Sequence, residues 1–293
     1  MRKKKIAWGQ VILNAIFIIF AICYIVPFLL CISISFSDEK SLAIAGYSLI
    51  PRVFSLESYE LVFRNPSQIL RSYEVNIIFT TISTALAVLV MGLLAYPLAR
   101  PNYRFKSILS FFVFFTMLFS GGMVPSYLLI VRYLHLNDNL LVYILPGLVS
   151  AYSVMIIRTN YRSIPYELIE AAKVDGATEL FICFRIVMPL SKPVLASIGF
   201  LFLVDKWNDW MTSMLYIRDP NLYSLQYLLQ RILNEAEYLR QLADAGSLMG
   251  GEVFPTESFR YAMALVAAGP VLLIFPFFQK YFAKGMTLGG VKG

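Results

Sequence analysis

Apolar residues in this chain run in long blocks, without the alternation of a half-buried strand or the narrow stripe of a surface helix. Six blocks stand out: Val11 to Phe36, Val75 to Leu98, Ile108 to Ile130, Leu140 to Ile157, Val194 to Ile217 and Tyr261 to Phe282. About 20 apolar residues in a helix cross the hydrocarbon layer of a bilayer, and each block is close to or beyond that length. The pattern predicts an all-α integral membrane protein, a six-helix transmembrane bundle forming one domain over residues 1–293. Pro27, Pro125, Pro146, Pro270 and Pro276 lie inside blocks. Within a bundle, neighbouring helices can satisfy the carbonyls a proline frees, so these positions predict kinks rather than breaks. Gly121-Gly122 marks another kink or close approach.

Composition agrees. Of 293 residues, 58% are hydrophobic and 15% charged, against about 45–50% and about 25% in a soluble domain. Such a chain cannot hide its apolar side chains in a water-soluble core, which excludes a secreted enzyme and a disordered tail. The net charge of +7 follows topology. Four stretches are rich in Lys and Arg: the N-terminus before Val11, Ala99 to Lys106, Arg158 to Pro193, and the residues after Phe278. Their only acids are Glu167, Glu170, Asp175 and Glu179. The stretches 37–74 and 218–259 carry more acids than bases. Basic loops stay in the cytoplasm, so both termini are expected inside, with 37–74 and 218–259 as external loops. The run after Arg2-Lys3-Lys4-Lys5 outlasts the apolar core of a cleaved signal and is expected to be a signal-anchor. Cys23, Cys31 and Cys183 offer no disulfide framework.

Arg158 to Pro193 is far longer than a turn between spans requires, and it has a pattern of its own. Ser163 is placed to cap a helix with Pro165, Glu167 and Glu170 in its early part. Leu168, Ile169, Ala171 and Ala172 continue it, and Gly176 stops it, since positive φ costs glycine little. Thr178 is placed to cap a second short helix that begins at Glu179 and ends at Pro189. The expectation is a helix–turn–helix elbow on the cytoplasmic face. Small Ala171 and Ala172 would let another surface approach, and Glu170 would accept hydrogen bonds or pair with a base. An amphipathic helix lying in headgroups would instead want a basic polar face, and these four acids would be repelled by an anionic leaflet.

Asp205, Lys206 and Asp209 fall about 17–23 Å along the fifth block, by helical rise from Val194. Charges at that depth are costly and point to function. Asp205 and Asp209, four apart, would share a helix face, and Trp207, Asn208 and Trp210 would add aromatic and amide surface. Two readings stand: a substrate path or gate, or a structural ion pair of Lys206 with an acid. His135 has no companion ligand at metal-binding spacing, so no metal site is expected. No phosphate-binding G-x-x-x-x-G-K-[ST] and no H-E-x-x-H or G-x-S-x-G pattern is present, so no catalytic residue is expected either.

The run Glu170-Ala171-Ala172, Asp175-Gly176-Ala177, Ile186, Pro189 and Pro193 resembles the EAA loop of membrane subunits in ATP-binding-cassette importers. Trp207-Asn208-Asp209 and the ending Lys284-Gly285-Met286-Thr287-Leu288-Gly289-Gly290-Val291-Lys292-Gly293 are similar to the carbohydrate branch, the second permease of maltose-type systems. Within that branch, SLQYLLQRIL and FPFFQKYFAKG look like permeases for complex or acidic oligosaccharides such as aldouronates or alginate fragments. The resemblance implies a type I importer bundle in a bacterial cytoplasmic membrane. It implies a second homologous permease, two cytoplasmic ATPase subunits holding ATP and Mg, and an extracytoplasmic solute-binding protein. No cofactor is implied in this chain itself. Residues 158–193 become the ATPase-coupling loop, and Gly289, Gly290 and Lys292 an ATPase-facing tail. The long external loop around Gly246, Gly250 and Gly251, with a helical patch over Gln226 to Leu242, becomes a probe of the binding protein. An amino-acid importer permease shares the EAA pattern and is the alternative. A gradient-driven secondary transporter would show inverted repeats, and none is visible.

Overall fold

A computed structural model describes residues 8–244 and 257–285. Among these the regular structure is helical, apart from one isolated bridge between Ser37 and Phe54. Among the described residues three helices are long and apolar enough to cross a membrane: α1 (Trp8–Ser35), α4 (Pro66–Ala99) and, over Glu257–Gln279, α15 (Glu257–Gly285). They answer to the first, second and sixth blocks.

The third block is bent, and a bend leads into the fifth. In the third, α5 (Lys106–Leu118) and α6 (Met123–Leu128), the latter prolonged by a π-turn over Leu129–Tyr133, meet at 113°. Gly122, with φ of +86°, forms the corner. Ahead of the fifth, a limb running Glu179–Leu190 meets α12 (Lys192–Trp207) at 81°, and counting each bent pair as a span gives five among the described residues. The fourth block is not one helix. Its apolar run hides three stop signals: Pro146, Gly147 with φ of +70°, and Ser150, whose hydroxyl caps the next helix through Ser153 N. The result is α7 (Leu141–Ile144) and α8 (Ala151–Arg162). Hydropathy alone weighs only transfer to lipid and is blind to these local stops.

The chain divides into two compact units. One comprises residues 67–228 and 270–293. Its core takes Ala87, Met91, Ala95 and Leu98 from α4, which recur at helical spacing on one face. Against them pack Val154 and Ile157 of α8, Ile169 and Ala172 of α9 (Tyr166–Val174), and Leu195, Ile198 and Phe202 of α12. Glycine makes two close approaches possible. A Cβ on Gly199 would stand 3.0 Å from Val88 Cγ2, and one on Gly92 3.1 Å from Met188 Cε. Small residues at such crossings let helix backbones meet where no hydrophobic effect drives them together.

The other unit comprises residues 1–66 and 229–269. Here the stretch 37–74 contributes α2 (Glu39–Ala45) and α3 (Glu57–Val62). Asp38 caps α2 through Ser41 N at 2.9 Å, and Phe36 stacks on Tyr59. Buried Glu39 accepts hydrogen bonds from Glu257 N and Ser258 N, both at 3.0 Å, and from the Ser258 hydroxyl at 2.7 Å. A carboxylate therefore satisfies the first free N–H groups of α15 and its positive end. The helical patch expected near Gln226 forms α14 (Leu225–Asp244), which follows the short α13 (Met211–Tyr216). Gly246, Gly250 and Gly251 lie outside the described residues.

Candidate functional site

The elbow expected between Arg158 and Pro193 is present as a helix–turn–helix. Its entry differs from the expectation: Ser163 ends α8, its hydroxyl donating to Asn160 O at 2.7 Å, and the residue before α9 is Pro165. Proline fits there because its missing N–H is one the helix would leave unpaired in any case. The turn follows the sequence. Gly176 has φ of +82°, Gly176 N donates to Lys173 O, and Ala177 N closes back on Ala172 O at 2.9 Å. Thr178 then caps α10 (Glu179–Ile182) by accepting from Phe181 N.

A π-turn over Cys183–Val187 and α11 (Met188–Leu190) complete the second limb. Pro189 lies within α11, and the corner comes at Ser191. The limb ends at Leu190, one residue beyond the stop expected at Pro189.

Burial sorts the EAA residues. Ala172 packs largely into the core beside Ile169 and anchors α9, so only its edge reaches the surface. Glu170, Ala171, Asp175 and Gly176 are exposed, and Ala177 and Ile186 are half-buried. Leu168, Val174, Leu180 and Phe181 also stand exposed, Val174 at 88%. A concavity of about 540 Å³ is lined by Ala172, Asp175, Gly176, Ala177, Thr178, Phe181 and Ile186. Clustered exposed apolar side chains beside carboxylates mark an interaction surface.

The second limb is tied to α4. Glu179 accepts from Tyr96 Oη at 2.5 Å and pairs with Lys173 Nζ at 2.6 Å, while Arg100 reaches Tyr96 Oη and stands 3.8 Å from Glu179. The Arg100 guanidinium also lies 4.2 Å over the Tyr96 ring. This network joins the long helix to both limbs of the elbow. The sequence showed Glu179 only as a first-turn acid, and no local spacing links it to Tyr96 or Arg100.

The charges of the fifth block separate. Helix α12 ends at Trp207 with Asn208 as its C-cap, so Asp209 leaves the helix and does not share a face with Asp205. Asp209 instead holds the start of α13, accepting from Thr212 N at 3.0 Å and Thr212 Oγ1 at 2.7 Å. Lys206 is buried and donates to Tyr143 O at 2.9 Å and Pro146 O at 3.2 Å. The break at Pro146-Gly147 leaves carbonyls of the fourth block without helical donors, and Lys206 supplies the protons. Asp205 and Asn208 are exposed, and Trp210 is 40% exposed; Trp207 is buried. Tyr143, stacked on Phe79 with ring centroids 4.3 Å apart, donates to Leu222 O.

In the connection holding His135, Asp138 accepts from the N–H groups of Arg218 and Asp219, and these hold its carboxyl below the usual range. Among the described residues no group of three His, Cys, Asp or Glu side chains could hold a metal ion. Gly289, Gly290 and Lys292 lie outside the described residues.

The fold is that of a helical membrane component with an exposed helix–turn–helix between its fourth and fifth blocks. Comparison with known proteins makes the class specific. Residues 88–288 match the family described as binding-protein-dependent transport system inner membrane component, and the chain belongs to that family. It is 39% identical over 270 residues to Protein LplC of Bacillus subtilis (strain 168), covering 92% of this chain and 90% of that one. It is 38% identical to the polygalacturonan/rhamnogalacturonan transport system permease protein YtcP of the same organism, covering 94% and 95%. A chain in the crystal structure of a bacterial ABC transporter involved in the import of the acidic polysaccharide alginate superposes with a TM-score of 0.78. The two are 25% identical, with 96% of this chain and 99% of that one covered.

Proposed function

We propose that this chain is a permease subunit of an ATP-driven, binding-protein-dependent importer of oligosaccharides, acidic ones in particular. It forms the translocation path with a second homologous permease, and its EAA loop docks on cytoplasmic ATPase subunits that hold ATP and Mg. Both termini are cytoplasmic, six segments cross the bilayer, and the tail around Gly289, Gly290 and Lys292 reaches toward the ATPases.

The observation that carries the coupling is the elbow itself. Glu170 and Ala171 stand exposed beside a glycine-hinged concavity, and the loop is braced to α4 through Glu179. A force entering there reaches a long apolar helix through short, charge-assisted contacts rather than through a slack linker. The sugar class draws support from the relative named for polygalacturonan/rhamnogalacturonan and from the neighbour named for alginate. Relatives of this kind do not favour the amino-acid alternative. Exposed Asp205, Asn208 and Trp210 suit sugar hydroxyls and ring faces, whereas Lys206, Trp207 and Asp209 support the path from behind.

The test is Glu170→Ala in the importer reconstituted with its partner permease, ATPases and binding protein. Substrate-stimulated ATP hydrolysis should fall at least about tenfold with assembly intact, the effect of losing about 1.5 kcal/mol of contact, the low end for a charge-assisted hydrogen bond. Normal stimulation would remove Glu170 from the coupling surface.

A further inference from the structure

A second cavity, of about 290 Å³, opens where α4 ends, α5 begins and α8 meets α9. Its walls include Arg100, Lys106 and Arg162, with Tyr96, Tyr166 and Pro101 among the remainder. Arg158 stands close by, its Nε donating to Leu98 O at 3.1 Å, and Lys106 lies within electrostatic range of both Arg158 and Arg162. Three cations therefore line one hollow, and a fourth, Arg158, lies within electrostatic range of Lys106.

Their compensation is incomplete. Among the described residues, the carboxylate paired with these cations is Glu179, which stands 3.8 Å from Arg100 and is shared with Lys173. Among the described residues the Lys106 ammonium and the Arg162 guanidinium have no hydrogen bond or ion pair. The Arg100 Nε is buried and has no hydrogen-bond partner. A buried donor left unpaired is costly, and basic residues that merely report topology would spread into solvent rather than converge. The first N–H groups of α5 add to the positive field, because Phe105, which precedes the helix, gives them no side-chain cap. The volume is several times the ~30 Å³ share of a water molecule and admits a phosphate group.

We propose that this cavity binds the phosphate of an anionic ligand, in the position to receive the headgroup of phosphatidylglycerol from the adjoining leaflet. The ends of two apolar helices set the pocket at headgroup depth, where basic clefts between helices take anionic lipid. Free inorganic phosphate offers the same chemistry.

The experiment uses the whole purified importer, stripped of lipid in detergent and then incubated with phosphatidylglycerol, phosphatidylethanolamine or inorganic phosphate. Retained lipid is counted by native mass spectrometry, and protection by phosphate is read from the unfolding midpoint. Phosphatidylglycerol should be retained in preference to phosphatidylethanolamine. Arg162→Gln and Lys106→Gln should each lower retention about fivefold, the factor for one cation near an anionic headgroup. Arg162→Lys should recover most of the loss, which a merely misfolded variant would not do. Protection by inorganic phosphate that the same substitutions abolish, without lipid preference, supports the site and names free phosphate as its source. Anion binding indifferent to both substitutions, in variants that assemble normally, overturns the proposal. Coupling by Glu170 is read from ATP hydrolysis instead, so the two ideas fail separately.

Discussion

Gly176→Val should leave the importer assembled and nearly abolish coupling. A Cβ added at Gly176 would meet no atom within 4 Å, so the effect comes chiefly from the backbone. With φ at +82°, a residue carrying a Cβ pays about 1–2 kcal/mol to hold the left-handed region, and a β-branched one fits it worst. Relief of that strain opens the turn that closes Ala177 N on Ala172 O and shifts Glu170 and Ala171 relative to their partner. An energy of that size changes a population about 5–30-fold. Uptake and substrate-stimulated ATP hydrolysis should fall by that order. Asparagine tolerates the left-handed region better than other side chains, so Gly176→Asn should retain more activity than Gly176→Ala, and Gly176→Val least. A flat series would mean that the turn geometry is irrelevant to transport.

The second large effect is expected at Lys206. Its ammonium donates to Tyr143 O and Pro146 O, so Lys206→Met removes both donors and leaves two buried carbonyls at the helix break without them. Charged hydrogen bonds of this kind are worth about 1.5–3 kcal/mol each, but burying the ammonium is itself costly and offsets part of that sum, so a loss of about 2–3 kcal/mol of unfolding free energy is expected for the purified assembly. Asp209→Asn should cost much less, because asparagine can still accept from Thr212 N. If instead Asp209→Asn matched Lys206→Met, an ion pair rather than carbonyl capture would be holding the lysine. Asp205 is exposed and should tolerate Asp205→Asn without loss of stability.

Much of this architecture was legible in the sequence, and the failures have local causes. Long apolar blocks announced α1, α4 and α15 because transfer to lipid dominates every other energy over ~20 residues. The fourth block misled, since Pro146, Gly147 and Ser150 stop a helix whatever its hydropathy. At the elbow, Gly176 and Thr178 were readable because turn and cap chemistry is set by one residue and its neighbours. Ser163 was misread for the same local reason: a serine four residues ahead of an acid suits either the end of one helix or the start of the next. Ala171 and Ala172 look equivalent in the sequence, and only packing shows that Ala172 faces the core. The Tyr96, Arg100 and Glu179 network was invisible, as was the capture of Pro146 O by Lys206, because each joins residues far apart in the chain.

The central claim, that ATP-driven work enters this chain through the exposed face of α9, is tested most directly by cross-linking. Ala171→Cys in the assembled importer, paired with single cysteines along the groove of the ATPase subunit, should give a disulfide whose yield changes between the nucleotide-free and ATP-bound states. Labelling of that cysteine by a bilayer-dissolved reagent, with no cross-link to any other subunit in either state, would contradict the account.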